Sequence, residues 1–111
     1  MKKVSGIVVK GHGKGKLLGF PTANIELKEP VESGVYEGCA YIYGAQCKAA
    51  IFVSKDGKLL EMHIMGLEDN LYGKEIEVEI GEKIREVQDF KTDEDLHKQI
   101  EKDVRDILNF S

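Results

Sequence analysis

From Val4 to Ile80 apolar and polar residues alternate with a period of two, in short runs separated by turn-forming residues. That alternation restricts the chain to an antiparallel β architecture, one face of each strand buried and the other solvated. The runs are "VSGIVVK", "GVYEGCAYIY", "QCKAAIFV", "KLLEMHIM" and "KEIEVEI". In the third, Cys47, Ala49, Ile51 and Val53 share a face. In the fourth, Leu60, Met62 and Ile64 oppose Glu61 and His63, and in the last Ile76, Val78 and Ile80 oppose Glu75, Glu77 and Glu79. The connections, among them Tyr43 to Gln46 and "KDGK", are too short for helical crossovers, so a small barrel or sandwich is expected, the barrel also removing exposed edges.

The period changes near the C-terminus. "TDEDLHKQIEKDVRDILNF" puts Leu96, Ile100, Val104, Ile107 and Leu108 on one helical face, with Thr92 as N-cap and acids in the first turn, where the helix dipole favours them. This predicts an amphipathic helix over about 93–109, packed on the strands. At 111 residues the chain fits one domain, 1–111.

Hydrophobic residues make up 41% and charged residues 32%, a balance that excludes a disordered chain. No apolar run approaches the roughly 18 residues of a spanning helix, and the N-terminus does not read as a secretory signal, so a cytoplasmic protein is expected with no membrane partner. Cys39 and Cys47 lack metal-type spacing and read as two buried free thiols. The net charge of −4 is unevenly spread: residues 1–25 carry five lysines and no acid, while the rest sets eleven cations against twenty acids, a balance of −9. A nucleic-acid partner, which needs many phosphates neutralised at once, is not expected. A small, highly charged phosphate ligand suits a local basic loop better.

That loop is "GHGKGKLLGFPTAN", Gly11 to Asn24. It is not a Walker loop, since Leu17 follows Gly15-Lys16, nor a dinucleotide fingerprint, since Pro21 and "PTANIEL" read as extended rather than as a helix start. A glycine-rich hairpin with no ligand fits the glycines equally well. In an extended "PTAN", Thr22 and Asn24 point the same way and offer two neutral oxygens, enough for Mg²⁺ only if phosphate oxygens complete the shell. Taken alone they also read as an ordinary strand threonine and a turn former, and Glu61 as one more solvated strand glutamate.

"GIVVKGHGKGKLLGFPTANI", "SGVYEGCAY", "LEMHIM", "DNLYGKEIEVEI", "KIREVQDF" and "DLHKQIEKD", in that order, resemble the successive motifs of the riboflavin kinase (flavokinase) family over nearly the whole chain. The resemblance implies a six-stranded antiparallel Greek-key barrel with a C-terminal helix, and transfer of the γ-phosphoryl group of ATP to riboflavin with Mg²⁺. It implies nucleotide binding by Gly13, Lys14, Gly15, Lys16, Pro21 and Thr22, and metal binding by Thr22 and Asn24. Glu61 becomes the catalytic base, and Tyr72, Gly73, Arg85 and Phe90 become the flavin-binding residues, Tyr72-Gly73 on a mobile loop that closes over the substrates. Partners would be ATP/ADP and riboflavin/FMN, the protein a monomer. With no adenylyltransferase segment in the sequence, FMN and not FAD is the expected product. One departure is the stretch "CKAAIFVSKDGKLLEMHIM", which crosses with a short turn where the family usually carries a longer segment. Two rival readings follow: a flavin- or nucleotide-binding barrel without turnover, and a basic-loop interaction module.

Overall fold

The computed structural model describes residues 2–9, 22–66 and 71–109. Six strands, β1 (Lys2–Val9), β2 (Ala23–Glu26), β3 (Gly34–Ile42), β4 (Ala45–Val53), β5 (Leu59–Ile64) and β6 (Glu75–Arg85), precede one helix, α1 (Asp93–Leu108). All strand pairs are antiparallel, and the sheet closes on itself in the order β1-β2-β5-β4-β3-β6. The consecutive strands β3, β4 and β5 form a meander, and β6 returns beside β3, which is a Greek key.

Period-two patterning decides what lies inside. Ile51 and Val53 of β4, Leu60, Met62 and Ile64 of β5, and Ile76, Val78 and Ile80 of β6 all join one buried cluster. Each such side chain removed from water contributes about 1.5–3 kcal/mol, so the interior is the main source of stability. Cys39 is buried but Cys47 only half so, which corrects the expectation of two buried thiols. Cys47 lies just past the β3–β4 turn, where Ala45 and Gln46 are exposed.

The strand expected to end at Ile80 runs on to Arg85. Its pairing with β3 slips twice: Gly38 faces Ile80, Tyr36 faces Lys83 and Val35 faces Arg85. Each slip adds a residue on the β6 side, a pair of β-bulges. At the first, Glu37 Oε1 accepts from Glu82 N at 2.9 Å and occupies the space where a Cβ on Gly81 would stand. Without the bulges the ladder would set Lys83 opposite Val35. With them it sets Arg85 there.

Helix α1 starts as its sequence predicts. Thr92 Oγ1 accepts from Asp95 N at 3.1 Å, with Asp93, Glu94 and Asp95 in the first turn. Its buried stripe is rotated from the expected one: Asp103 and Ile107 are fully buried, whereas Leu108 is 53% exposed. The rotation is toward Asp103, because Arg85 on the barrel wall supplies a partner for its carboxylate. Val35, Ala50 and Ile107 are buried outside the interior cluster, and they mark a second, smaller core on the outer face of the barrel.

Candidate active site

Cross-strand partners share a face of a sheet. Val9 pairs with Asn24, Asn24 with Glu61, Glu61 with Phe52, Phe52 with Val35, and Val35 with Arg85. One continuous row of outward side chains therefore runs around all six strands. Extended chain through residues 22–24 puts Thr22 on the same side as Asn24.

This outer face is not the solvated surface that alternation alone predicts. Residues 85–90 and α1 cover part of it, leaving a cavity of about 260 Å³. Glu61 and His63 of β5 and Arg85 at the end of β6 line it from the sheet, Thr22 from just before β2, Phe90 from the segment after β6, and Leu96 and Ile100 from the helix. Glu61 is half-buried there, between Asn24 and Phe52. The short turn between β4 and β5 contributes Ser54 to the lining, next to Phe52 and Val53 at the end of β4 and Leu59 at the start of β5. Ser54 Oγ donates to Asp56 Oδ1 at 2.6 Å, and Asp56 also accepts from Lys58 N at 3.0 Å, so its carboxyl is held below the usual range, first by the Ser54 bond and then by the backbone one. Gly57 completes the turn at φ +75°, where a Cβ would stand 2.5 Å from the carbonyl oxygen of Val31.

Asn24 is 5% exposed, and its Oδ1 has no donor among the described residues. An orphaned buried carbonyl costs roughly 1–3 kcal/mol. A hard cation brought in with phosphate oxygens would satisfy it. Asn24 Oδ1 and the Thr22 hydroxyl are neutral oxygens of the type a hard cation accepts, and among the described residues no group of three or more His, Cys, Asp or Glu is placed to hold a metal.

Arg85 is fixed from several sides. Its Nε donates to Asp103 Oδ1 at 3.0 Å and Oδ2 at 3.2 Å, its Nη2 to Oδ2 at 2.6 Å, and its Nη1 to the Glu86 carbonyl at 2.9 Å. Gln99 Nε2 adds a bond to Asp103 Oδ1 at 3.0 Å. The neighbouring Lys83 holds the Glu86 carboxylate at 2.6 Å, a hydrogen bond that raises the lysine's pKa. Asp103, the buried partner of Arg85, is not among the residues that the sequence singles out. Its signal was present: Leu96, Ile100, Asp103 and Ile107 follow helical spacing with one carboxylate inside an apolar stripe.

Thr22, Glu61, Arg85 and Phe90 thus meet at one cavity, with Asn24 beside Glu61. Tyr72 and Gly73 do not line it. They form an exposed turn before β6, where Gly73 N donates to the Val8 carbonyl and Val8 N to the Lys74 carbonyl, both at 3.0 Å. That fastens the turn beside the end of β1, from which the glycine-rich stretch departs. Gly13, Lys14, Gly15, Lys16 and Pro21 lie outside the described residues.

The riboflavin kinase family profile matches residues 2–111. The chain belongs to the riboflavin kinase family. It is 36% identical to a bifunctional riboflavin kinase/FMN adenylyltransferase of Buchnera aphidicola subsp. Schizaphis graminum, over 96% of this chain and 38% of that protein. It is likewise 36% identical to the RNA-binding riboflavin kinase RibR of Bacillus subtilis, over 94% of this chain and 49% of the relative. The chain therefore spans half or less of the length of these riboflavin kinase relatives. A solved structure described as a macrolide-efflux protein from Streptococcus pneumoniae superposes with a TM-score of 0.86 at 28% identity, covering 98% of this chain and 39% of that one.

Proposed function

We propose that this chain is a riboflavin kinase that transfers the γ-phosphoryl group of ATP to the 5′-hydroxyl of riboflavin, giving FMN and ADP. The observation that carries this reading is the row that seats Asn24 beside Glu61 at an apolar cavity closed by Arg85 and Phe90. A half-buried carboxylate beside an orphaned amide oxygen is what a phosphoryl acceptor site needs: a base for the hydroxyl proton and a place for a phosphate-bound cation. The apolar walls suit the flat flavin ring.

In this reading the riboflavin hydroxyl oxygen bonds to the γ-phosphorus as the bond to the ADP oxygen breaks, and Glu61 takes the hydroxyl proton. Mg²⁺, held by Thr22 and Asn24 with the nucleotide phosphates, would neutralise charge developing on the phosphoryl oxygens. Gly13, Lys14, Gly15, Lys16 and Pro21 cradle the nucleotide, while Arg85 and Phe90 border the flavin and Tyr72 and Gly73 contact it from a turn that closes over the substrates. Uneven charge favours small anionic partners over nucleic acid, although one relative's name includes RNA binding. Among the described residues no helix is long and apolar enough to cross a membrane, and a cytoplasmic location, where ATP is available, is part of the proposal.

Incubation with riboflavin, ATP and Mg²⁺, followed by chromatography, should yield FMN. Glu61→Gln should slow turnover about 10²–10⁴-fold while riboflavin binding changes little, and Glu77→Gln, on an exposed face, should turn over normally. A wild type that binds both substrates but makes no FMN is a binding barrel, and full activity in Glu61→Gln would assign the base elsewhere.

A further inference from the structure

A buried ion pair is a poor staple, since desolvation offsets most of its attraction and a well-packed apolar pair usually stabilises as much. Yet α1 carries Asp103 at 1% exposure inside its apolar stripe. It meets Arg85 through the bidentate contact described above, and Gln99, one turn earlier on the helix, fixes the carboxylate in turn. Two bulges are needed to bring Arg85 to this position. The arrangement is more specific than helix docking requires. What it defines is the plane of a guanidinium whose side chain lines the cavity together with Phe90, Leu96 and Ile100. A fixed planar guanidinium is a surface on which an aromatic ring can stack, which a lysine cannot offer.

We propose that Asp103 and Gln99 are positioning residues for flavin recognition: through Arg85 they make the C-terminal helix part of the riboflavin-binding wall. This rests on the cavity being the flavin pocket, as argued under Proposed function. Asp103 touches neither substrate, so its removal acts on flavin affinity rather than on the chemical step.

The test is riboflavin affinity by fluorescence quenching, with kcat, KM for both substrates and thermal stability measured on the same variants. Asp103→Asn should raise the riboflavin Kd and KM about tenfold, the scale of losing a charge-assisted bidentate contact, with kcat and the KM for ATP within about twofold. Ile107→Ala, which loosens the same helix away from Arg85, should lower thermal stability yet leave the riboflavin Kd within about twofold. Should Asp103→Asn fail to fold, Arg85→Lys, which keeps a cation for Asp103 but loses the planar fork, must show the same split between flavin and ATP. Unchanged riboflavin affinity in the tested variant overturns the inference, as does an equal loss in Ile107→Ala. If the wild type binds no riboflavin, the kinase reading falls and this inference with it. If the wild type makes FMN and Asp103→Asn binds riboflavin normally, this inference alone falls.

Discussion

Asn24 is a polar side chain buried at a cost, and its Oδ1 has no donor among the described residues, a combination found where a residue serves a ligand. Its neighbours in the row explain the burial: β1 covers it on one side and Glu61 of β5 on the other. If Oδ1 waits for a cation that arrives with nucleotide, calorimetry should show little Mg²⁺ binding to the free protein and clear binding in the presence of ADP. In Asn24→Ala the ADP-dependent binding should disappear, while stability stays within about 1 kcal/mol of wild type because an unsatisfied oxygen is removed along with the site. Tight Mg²⁺ binding without nucleotide would mean that carboxylates hold the metal. At Glu61, too, residue type and context were separable. The alternation sends it outward, but only the covering segment after β6 turns that outward position into a half-buried one.

Among the elements, β6 and α1 together build the pocket, and neither does so by periodicity alone. The continuation of β6 past Ile80 depends on Gly81, over which the Glu37 side chain folds to reach Glu82 N. A methyl at Gly81 would displace that carboxylate and also stand 2.9 Å from the Glu37 carbonyl oxygen. Gly81→Ala should therefore lower unfolding free energy by about 1–2 kcal/mol, the cost of a lost solvent-exposed hydrogen bond plus a strained bulge, measurable by urea denaturation. Because the bulge sets the register of Arg85, riboflavin affinity should fall as well. Wild-type stability in that variant would show that β6 reaches Arg85 without the Glu37 contact. The helix behaves differently. Its cap and first-turn acids follow from local chemistry, but the face it buries was set by Arg85, a residue eight positions before the helix begins.

On the scale of the whole molecule, the positive N-terminal segment stands against an acidic remainder. Attraction of a nucleotide to such a segment is screened by salt, whereas riboflavin carries no net charge at neutral pH. Raising ionic strength from about 0.05 M to about 0.5 M, which shortens the Debye length from roughly 14 Å to 4 Å, should weaken ATP binding several-fold and leave riboflavin binding nearly constant in fluorescence titrations. Equal salt sensitivity for both ligands would remove the electrostatic argument. The sequence by itself determined five of the six strands and most of their inward residues through the alternation, and the helix and its N-cap through the C-terminal pattern, because period-two and period-3.6 burial and capping are local properties of the chain. Its motifs also marked Thr22, Asn24, Glu61, Arg85 and Phe90 before any contact was known. Only the tertiary structure decided that a row of cross-strand pairs connects Asn24 to Arg85, that two bulges slide Arg85 onto the pocket wall, and that Asp103 is its partner. Register, bulges and the burial of a charge depend on groups far apart in sequence, and no local pattern in the chain encodes which of them will meet.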